Sequence, residues 1–466
     1  MSIHPPLQEA DQALETEEDV LAPPNAAVKR GWLENFFRLS ERNTTPKTEF
    51  IAGMTTFMTM SYIIFVNPLI LSDAGIPKEA AVAATIFSCI FGTLMYALMA
   101  NMPVAVGPGM GLNAFFTYTV VLGMGLTWQT GLGAVFISGV VFLILTITGV
   151  RKKIIAAVPQ SLRSAIGVGV GLFIALIGLK NAGLVISSKD TIVSLGNLHS
   201  PGVLIALTGL MLTALLIARG VKGALVISII ATTVLSMIVG ASQAPASISN
   251  IISFSMPSVA DTFLHMDIKA ALAYGIVSVI FSFTIVELFD NSATLLGLAN
   301  KAGLVDKNGE IPNLNRAFVA DAFATMGSAT LGTTAMNVYV ENATGISEGG
   351  KTGLTALVVA GFFMLALLFT PLVTLIPGFA TAPVLILVGV FMFNEIRHIP
   401  FDDFTELVPA FLTIIMMPLT FSITQGLAFG FISYSLLKVL TGRHHEVTWT
   451  VHFISLAFII NMIYRV

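Results

Sequence analysis

One cysteine in 466 residues, Cys89, leaves no disulfide framework and no cysteine-based metal site. Charge is scarce too, at 11% of residues with a net charge of -3, and no basic cluster suggests nucleic acid or an electrostatic membrane patch. The seven histidines show no metal-ligand spacing within the apolar runs, so no catalytic metal, cofactor or enzyme activity is expected. What the chain has in abundance is apolar: 55% of residues are hydrophobic, which excludes an ordinary soluble domain. A helix needs about 20 apolar residues to cross about 30 Å of hydrocarbon. Fourteen candidate spans fall between Thr48 and Leu440, two of them broken.

The expected fold class is therefore an all-α polytopic membrane protein. Residues 1–47 form a polar tail, with Pro5, Pro6, Pro23, Pro24 and the acidic run Glu15, Glu17, Glu18, Asp19, expected to be disordered. Trp32, Phe36 and Leu39 against Glu34, Arg38, Glu41 and Arg42 predict an amphipathic helix over 32–42 lying on the membrane face. No cleavable signal peptide is expected, because the first apolar run starts late and follows acidic residues. Residues 48–241 and 271–441 form two seven-span halves, joined by an extracytoplasmic connection over 242–270. The tail 442–466 holds a short apolar segment, Trp449 to Tyr464, either interfacial or a weak fifteenth span.

Basic residues collect in cytoplasmic loops. Arg38, Arg42, Lys47, Arg151, Lys152, Lys153, Arg219, Lys222, Lys301, Lys307, Arg316, Lys351, Arg397 and Arg443 all fall on one side. The other side carries mainly Lys78, Lys189 and Lys269. Both ends of the chain are thus expected to be cytoplasmic, in the cell (inner) membrane.

The chain also repeats itself. Span 1 ends FVNPLILSDAGI (65–76) and span 8 ends FDNSATLLGLANKAGL (289–304), and each leads through a further span to a broken segment. The broken segments are NMPVAVGPGMGLNAFF (101–116) and TTAMNVYVENATG (333–345). Seven spans separate the copies, and an odd number inverts one relative to the other, as in secondary transporters. Pro103, Gly107, Pro108, Gly109 and Gly111 cannot continue a helix, and irregular backbone at membrane depth must be buried in protein or line a cavity. The expectation is an extended Val104 to Val106 leading into a half-helix near Leu112, and an extended Asn337 to Val340 leading into one at Glu341 or Asn342. Both half-helix N-termini would point at the centre with free amides.

Glu287 and Asp290 are the only ionisable groups between Ala271 and Gly297. Carboxylates at that depth are costly, and usually mark a substrate or proton pathway. Being three apart they share a helix face, and the bland reading is a structural pair satisfied by Thr284 or Thr294. Asp321 in span 9 is expected to anchor the neighbouring broken segment. Glu348 and Lys351 read as a solvated pair, and Gly167, Gly169, Gly171 and Gly178 as close helix packing.

Together GPGMGLNAFF, FVNP, VELFDNSATLLG and YVENATGISEGGKTGLTA (339–356) resemble the adenine, guanine and hypoxanthine permease branch of the nucleobase-cation symporter families, from about Phe37 to Gly442. The resemblance implies fourteen spans in two inverted sevens, with a core domain (spans 1–4 and 8–11), a gate domain (spans 5–7 and 12–14) and a homodimer. It also implies substrate contacts at Asn113, Glu287 with Asp290, and Glu341; relatives often have Asp or Asn where this chain has Glu287.

The chemistry of these residues suits a purine nucleobase, which offers N–H donors on a flat apolar body. Asp290 and Glu341 accept, Asn113 both gives and accepts, and Phe115 or Phe116 is expected to supply a stacking face. Proton symport is expected, carried by Glu287, Asp290 or Glu341. The alternatives are another nucleobase, xanthine or uracil, or a sulfate- or bicarbonate-type anion carrier of the same architecture.

Overall fold

The computed structural model describes residues 31–274, 279–306 and 310–464. Residues 1–30 of the tail expected over 1–47, and Lys307 among the loop cations, lie outside the described residues; residues 31–47 are ordered, with Phe37 and Leu39 buried. Helices dominate, and the helical elements fall where fourteen spans were expected. Among the described residues, eight helices are long and apolar enough to cross a membrane, with shorter apolar helices beside them.

Span 1 is Pro46–Asp73, span 2 is Lys78–Ala100, and span 3 is the strand β1 (Val106–Pro108) with the helix Met110–Gly123. Spans 4 to 7 are Trp128–Ile147, Gln160–Asn181, Pro201–Ala218 and Ala224–Ile238. Span 8 comprises Ile268–Tyr274 and Phe281–Lys301, and span 9 is Leu314–Leu331. Span 10 is the strand Met336–Val338 with the helix Asn342–Ser347. Spans 11 to 14 are Gly353–Thr374, Gly378–His398, Phe404–Thr420 and Ile423–Leu440. Local chemistry sets several starts: the Thr45 hydroxyl accepts from Thr48 N at 3.2 Å ahead of Pro46, and Thr127 accepts from Thr130 N at 3.3 Å.

The spans pack in two groups. Spans 1, 2, 4, 8, 9 and 11 pack into one group, with the broken spans among them, while span 5 packs on spans 12 and 13, span 13 on span 14, and span 6 on spans 7 and 12. Span 5 meets span 12 where Gly171 faces Gly389, and at both positions a Cβ would fall within about 3 Å of backbone; Gly169, Gly171 and Gly178 serve close packing as expected, whereas a Cβ on Gly167 would meet nothing nearer than 3.6 Å.

The two broken spans cross and pair. β1 runs antiparallel to Met336–Val338, with Val106 opposite Val338 and Pro108 opposite Met336. The extended stretches thus lie slightly off the expected positions, and the first half-helix starts at Met110 rather than near Leu112. Pairing decides the register, which no local pattern carries. Gly109 N donates to Ala335 O at 2.9 Å, and a Cβ on Gly109 would lie 2.7 Å from Asn337 Cγ, so the crossing needs glycine there.

Three expectations are corrected at the periphery. The amphipathic helix ends at Phe37, because Arg38 adopts a left-handed conformation; Phe37 and Leu39 are buried against Leu354, whereas Trp32 and Phe36 are exposed. Glu348 pairs with Lys222 at 2.7 Å rather than with Lys351, since the loop between spans 6 and 7 reaches it. Arg151 is not a loop cation: the helix Val150–Ala157 turns it inward, and it is 1% exposed. Glu49, which the sequence did not single out, is buried and accepts from the amides of Lys351, Thr352 and Thr355, capping span 11 from another helix. The segment Trp449–Tyr464 is one helix packed on span 14.

Candidate functional site

A cavity of about 580 Å³ opens between spans 5, 8, 10 and 12. Its walls include Gln160, Arg163 and Ser164 of span 5, Asp290, Thr294 and Lys301 of span 8, Val340 and Ala343 of span 10, and Phe391, Asn394 and Glu395 of span 12. Asp290 and Lys301 are eleven residues apart on one helix, about 16 Å at 1.5 Å per residue. Lys301, Asn394, Glu395, Gln160 and Arg163 sit at helix ends and form the mouth; Asp290 and Val340 lie deeper. The cavity falls on the boundary between the two packing groups.

The predicted site acids separate. Asp290 lines the cavity and accepts a hydrogen bond from the side-chain amide of Asn337, whose strand is pinned against β1. Glu287, one turn earlier, is fully buried and does not line the cavity. One of its oxygens accepts from the Thr325 hydroxyl, and the other has no hydrogen-bond partner among the described residues. The partners considered from the sequence, Thr284 and Thr294, are not used: the Thr284 hydroxyl bonds back to Ile280 O at 2.8 Å, and Thr294 faces the cavity.

Glu341 sits where the span 10 half-helix begins, as expected, but its side chain caps nothing there. It accepts instead from the Tyr62 hydroxyl of span 1 at 2.8 Å. Its neighbours Val340 and Ala343 line the cavity. Asn113 is fully buried in the first turns of the opposite half-helix; its carbonyl accepts from the Thr334 hydroxyl, and its amide nitrogen has no partner among the described residues. The structure thus brings Asp290 and the start of the span 10 half-helix to the cavity, with Asn113 behind a buried wall.

Phe115 and Phe116 do not present the expected stacking face. Phe115 is fully buried, edge-on to Phe283 at 4.9 Å, and Phe116 packs against Gly131. Both point into the protein because the apolar half-helix is surrounded by packed spans. Aromatic surface at the cavity comes from Phe289 and Phe391, which the sequence reading passed over among many apolar residues.

Behind the acids lies a network that sequence reasoning only half found. Asp321 anchors the broken segment as expected: it accepts from Asn291, whose amide also donates to Met336 O at 3.0 Å and whose carbonyl accepts from Val338 N. Its buried counter-charge is Arg151, at 3.0 Å, with the guanidinium between the rings of Phe142 and Phe318 at 3.7 and 3.6 Å and bonded to Ser292 at 3.1 Å. Among the described residues, no group of His, Cys, Asp and Glu has the geometry of a metal site.

Comparison with known proteins gives a consistent result. A family model described as a permease family (Xan_ur_permease) matches residues 47–429. Adenine permease AdeP of Escherichia coli (strain K12) is 44% identical over 435 residues, covering 93% of this chain and 97% of that protein. Guanine/hypoxanthine permease PbuO of Bacillus subtilis (strain 168) is 41% identical over 434 residues, 91% and 99% of the two chains. The fold is that of the transmembrane domain of a cyanobacterium bicarbonate transporter, BicA, with TM-score 0.60 at 13% identity over 82% of this chain and 97% of that one.

Proposed function

The chain belongs to this permease family, and from that premise we propose that it imports purine nucleobases, adenine, guanine or hypoxanthine, by proton symport across the cell (inner) membrane. The observation that carries the reading is the separation of the two span 8 acids: Asp290 faces a cavity of about 580 Å³, while Glu287 is sealed behind it with one oxygen unpartnered among the described residues. In this reading Asp290 and Glu341 accept the N–H groups of the base, Asn113 completes the polar set when the site closes, and Glu287 carries the proton. Aromatic contact falls to Phe289 and Phe391 rather than to Phe115.

Alternating access follows from the cavity's position. Two walls, spans 5 and 12, belong to one packing group, and two, spans 8 and 10, to the other, so sliding one group against the other opens and closes it. The basic-residue asymmetry supports a reading in which the mouth and the N-terminus face the cytoplasm. The working unit is taken to be a homodimer.

An anion carrier of the same fold is the competing reading, as the likeness to a bicarbonate transporter requires. The Asp290 carboxylate at the deep end of the cavity disfavours it, while the cations Arg163 and Lys301 lie at the mouth. The test is uptake of labelled adenine in whole cells, competed by guanine, hypoxanthine, xanthine, uracil and sulfate, with Asp290→Asn and Glu341→Gln beside the unaltered protein. Both variants are expected to reach the membrane and lose uptake, a protonophore to abolish accumulation, and sodium removal to leave it intact. Sulfate uptake without purine uptake overturns the substrate class, and sodium-dependent accumulation that survives a protonophore overturns the coupling ion.

A further inference from the structure

We propose that Thr325 is a positioning residue for proton coupling: its hydroxyl transmits the charge state of Glu287 to the strand Met336–Val338, and through that strand to Asp290. This rests on Glu287 being the coupling acid. The geometry is a two-sided bridge, in which Thr325 donates to Glu287 while its oxygen accepts the Met336 N–H at 3.3 Å. A hydroxyl has one proton to give and lone pairs to receive with. An ionised carboxylate only accepts, so the Thr325 proton is held on Glu287 and its oxygen is left for Met336.

Protonation reverses this order. Glu287 then carries an O–H that needs an acceptor in a fully buried place, where its second oxygen has no partner among the described residues. The Thr325 oxygen takes that O–H, and the Thr325 proton turns to the carbonyl of Asp321 one turn back on its own helix. Met336 N–H loses or shares its acceptor. No bond changes except the O–H formed on Glu287, whose proton is taken up from the outer aqueous phase and released to the cytoplasm in each symport cycle.

The strand is the right element to receive such a signal. Its middle residue, Asn337, donates to Asp290 in the cavity wall, and its two ends are held by Asn291, itself bonded to Asp321. The charged and titratable groups facing Glu287 are Asp321 on span 9, Arg151 on Val150–Ala157 and Tyr96 at the end of span 2. Arg151 and Asp321 are paired to each other at 3.0 Å, and among the described residues Thr325 is the side chain hydrogen-bonded both to Glu287 and to the strand.

The test is adenine uptake as a function of pH for the unaltered protein, Thr325→Val, Thr325→Ala and Thr325→Ser, each in the full chain at matched membrane expression. The unaltered protein and Thr325→Ser are expected to take up adenine at least about fivefold faster at acid than at alkaline pH, as one titrating group permits. Thr325→Val and Thr325→Ala are expected to bring that ratio to about one. A merely structural Thr325 would lower uptake equally at every pH, and an undiminished ratio in Val or Ala, or a flat profile in Ser, overturns the proposal. If Thr325→Val does not reach the membrane, the contrast between Ala and Ser decides alone. An unaltered protein without pH dependence overturns the coupling reading itself, and Thr325's role with it, whereas a pH-dependent protein with a pH-dependent Thr325→Val overturns only the latter.

Discussion

The side chain of Asn342 substitutes for a strand residue opposite Ala105. Its carbonyl accepts the Ala105 N–H at 2.7 Å and its amide donates to the Ala105 carbonyl at 2.8 Å, extending the two-stranded ladder by one position past Val106. The amide also reaches Tyr339 O at 2.7 Å, so one asparagine satisfies three buried backbone groups at the crossing.

Replacing Asn342 by Leu, similar in size, is therefore expected to strand a buried donor and acceptor. Each such group costs about 1–3 kcal/mol, so the loss should be about 2–6 kcal/mol. Thermal unfolding of the purified protein in detergent measures it. Asn342→Asp keeps the acceptor and loses the donor, and should fall between. A melting temperature equal to that of the unaltered protein would show that water or a neighbour replaces the amide.

The Arg151–Asp321 pair gives a prediction with a built-in control. Removing one partner of a buried pair costs about 3–5 kcal/mol because it leaves an uncompensated charge. Arg151→Leu should therefore destabilise strongly, and more than Arg151→Leu combined with Asp321→Asn, which removes both charges. A double variant no more stable than the single would mean that the packing of Arg151 between Phe142 and Phe318 matters more than its charge.

Much of this was legible in the sequence, and the exceptions share a cause. The prolines and glycines between Pro103 and Gly111 announce a break, because backbone that cannot be helical at that depth must be protected. Glu341 marked the start of the second half-helix for the same reason. Arg151 was not legible: it sits in VRKKIIAA beside two exposed lysines, and its burial depends on Phe318 and Asp321, some 170 positions away. Phe115 failed similarly, since an all-apolar helix carries no periodicity to say which aromatic faces a cavity. Nor could the spacing of Glu287 and Asp290 tell that one would be sealed and the other open; one turn apart on a helix, they differ by which neighbouring span covers them.

The orientation read from basic residues is testable by cysteine labelling in a Cys89→Ala background. Single cysteines at Ser72, Ser188 and Gln243 are expected to react with an impermeant reagent from outside, and those at Lys153 and Arg397 only after permeabilisation. The inward turn of Arg151 leaves this expectation in place, because Lys152 and Lys153 remain exposed. Reversed labelling overturns the orientation, and mixed labelling overturns the span count.

The pH dependence of uptake is expected to owe nothing to the charged cluster formed between the start of span 13 and the end of span 14. There Arg443 donates to both oxygens of Glu446, at 2.7 and 2.8 Å, and stands 2.8 Å from Asp403. The Arg443 hydrogen bonds hold the Glu446 carboxyl down at about 2, and the Thr405 hydroxyl, with Arg443, holds Asp403 at about 2. Both values are depressed, so the ionised forms are favoured. Their stabilising contribution is present above the ordinary values of 4.5 and 3.8 and is lost only as the pH falls towards 2. Across the range in which cells take up nucleobases these groups stay charged and supply no transition. Glu446→Gln should accordingly give a pH–uptake curve with the same midpoint as the unaltered protein, while Glu287→Gln should flatten it. A shifted midpoint in Glu446→Gln would place the titrating group at this end of the protein and remove it from the buried acids of span 8.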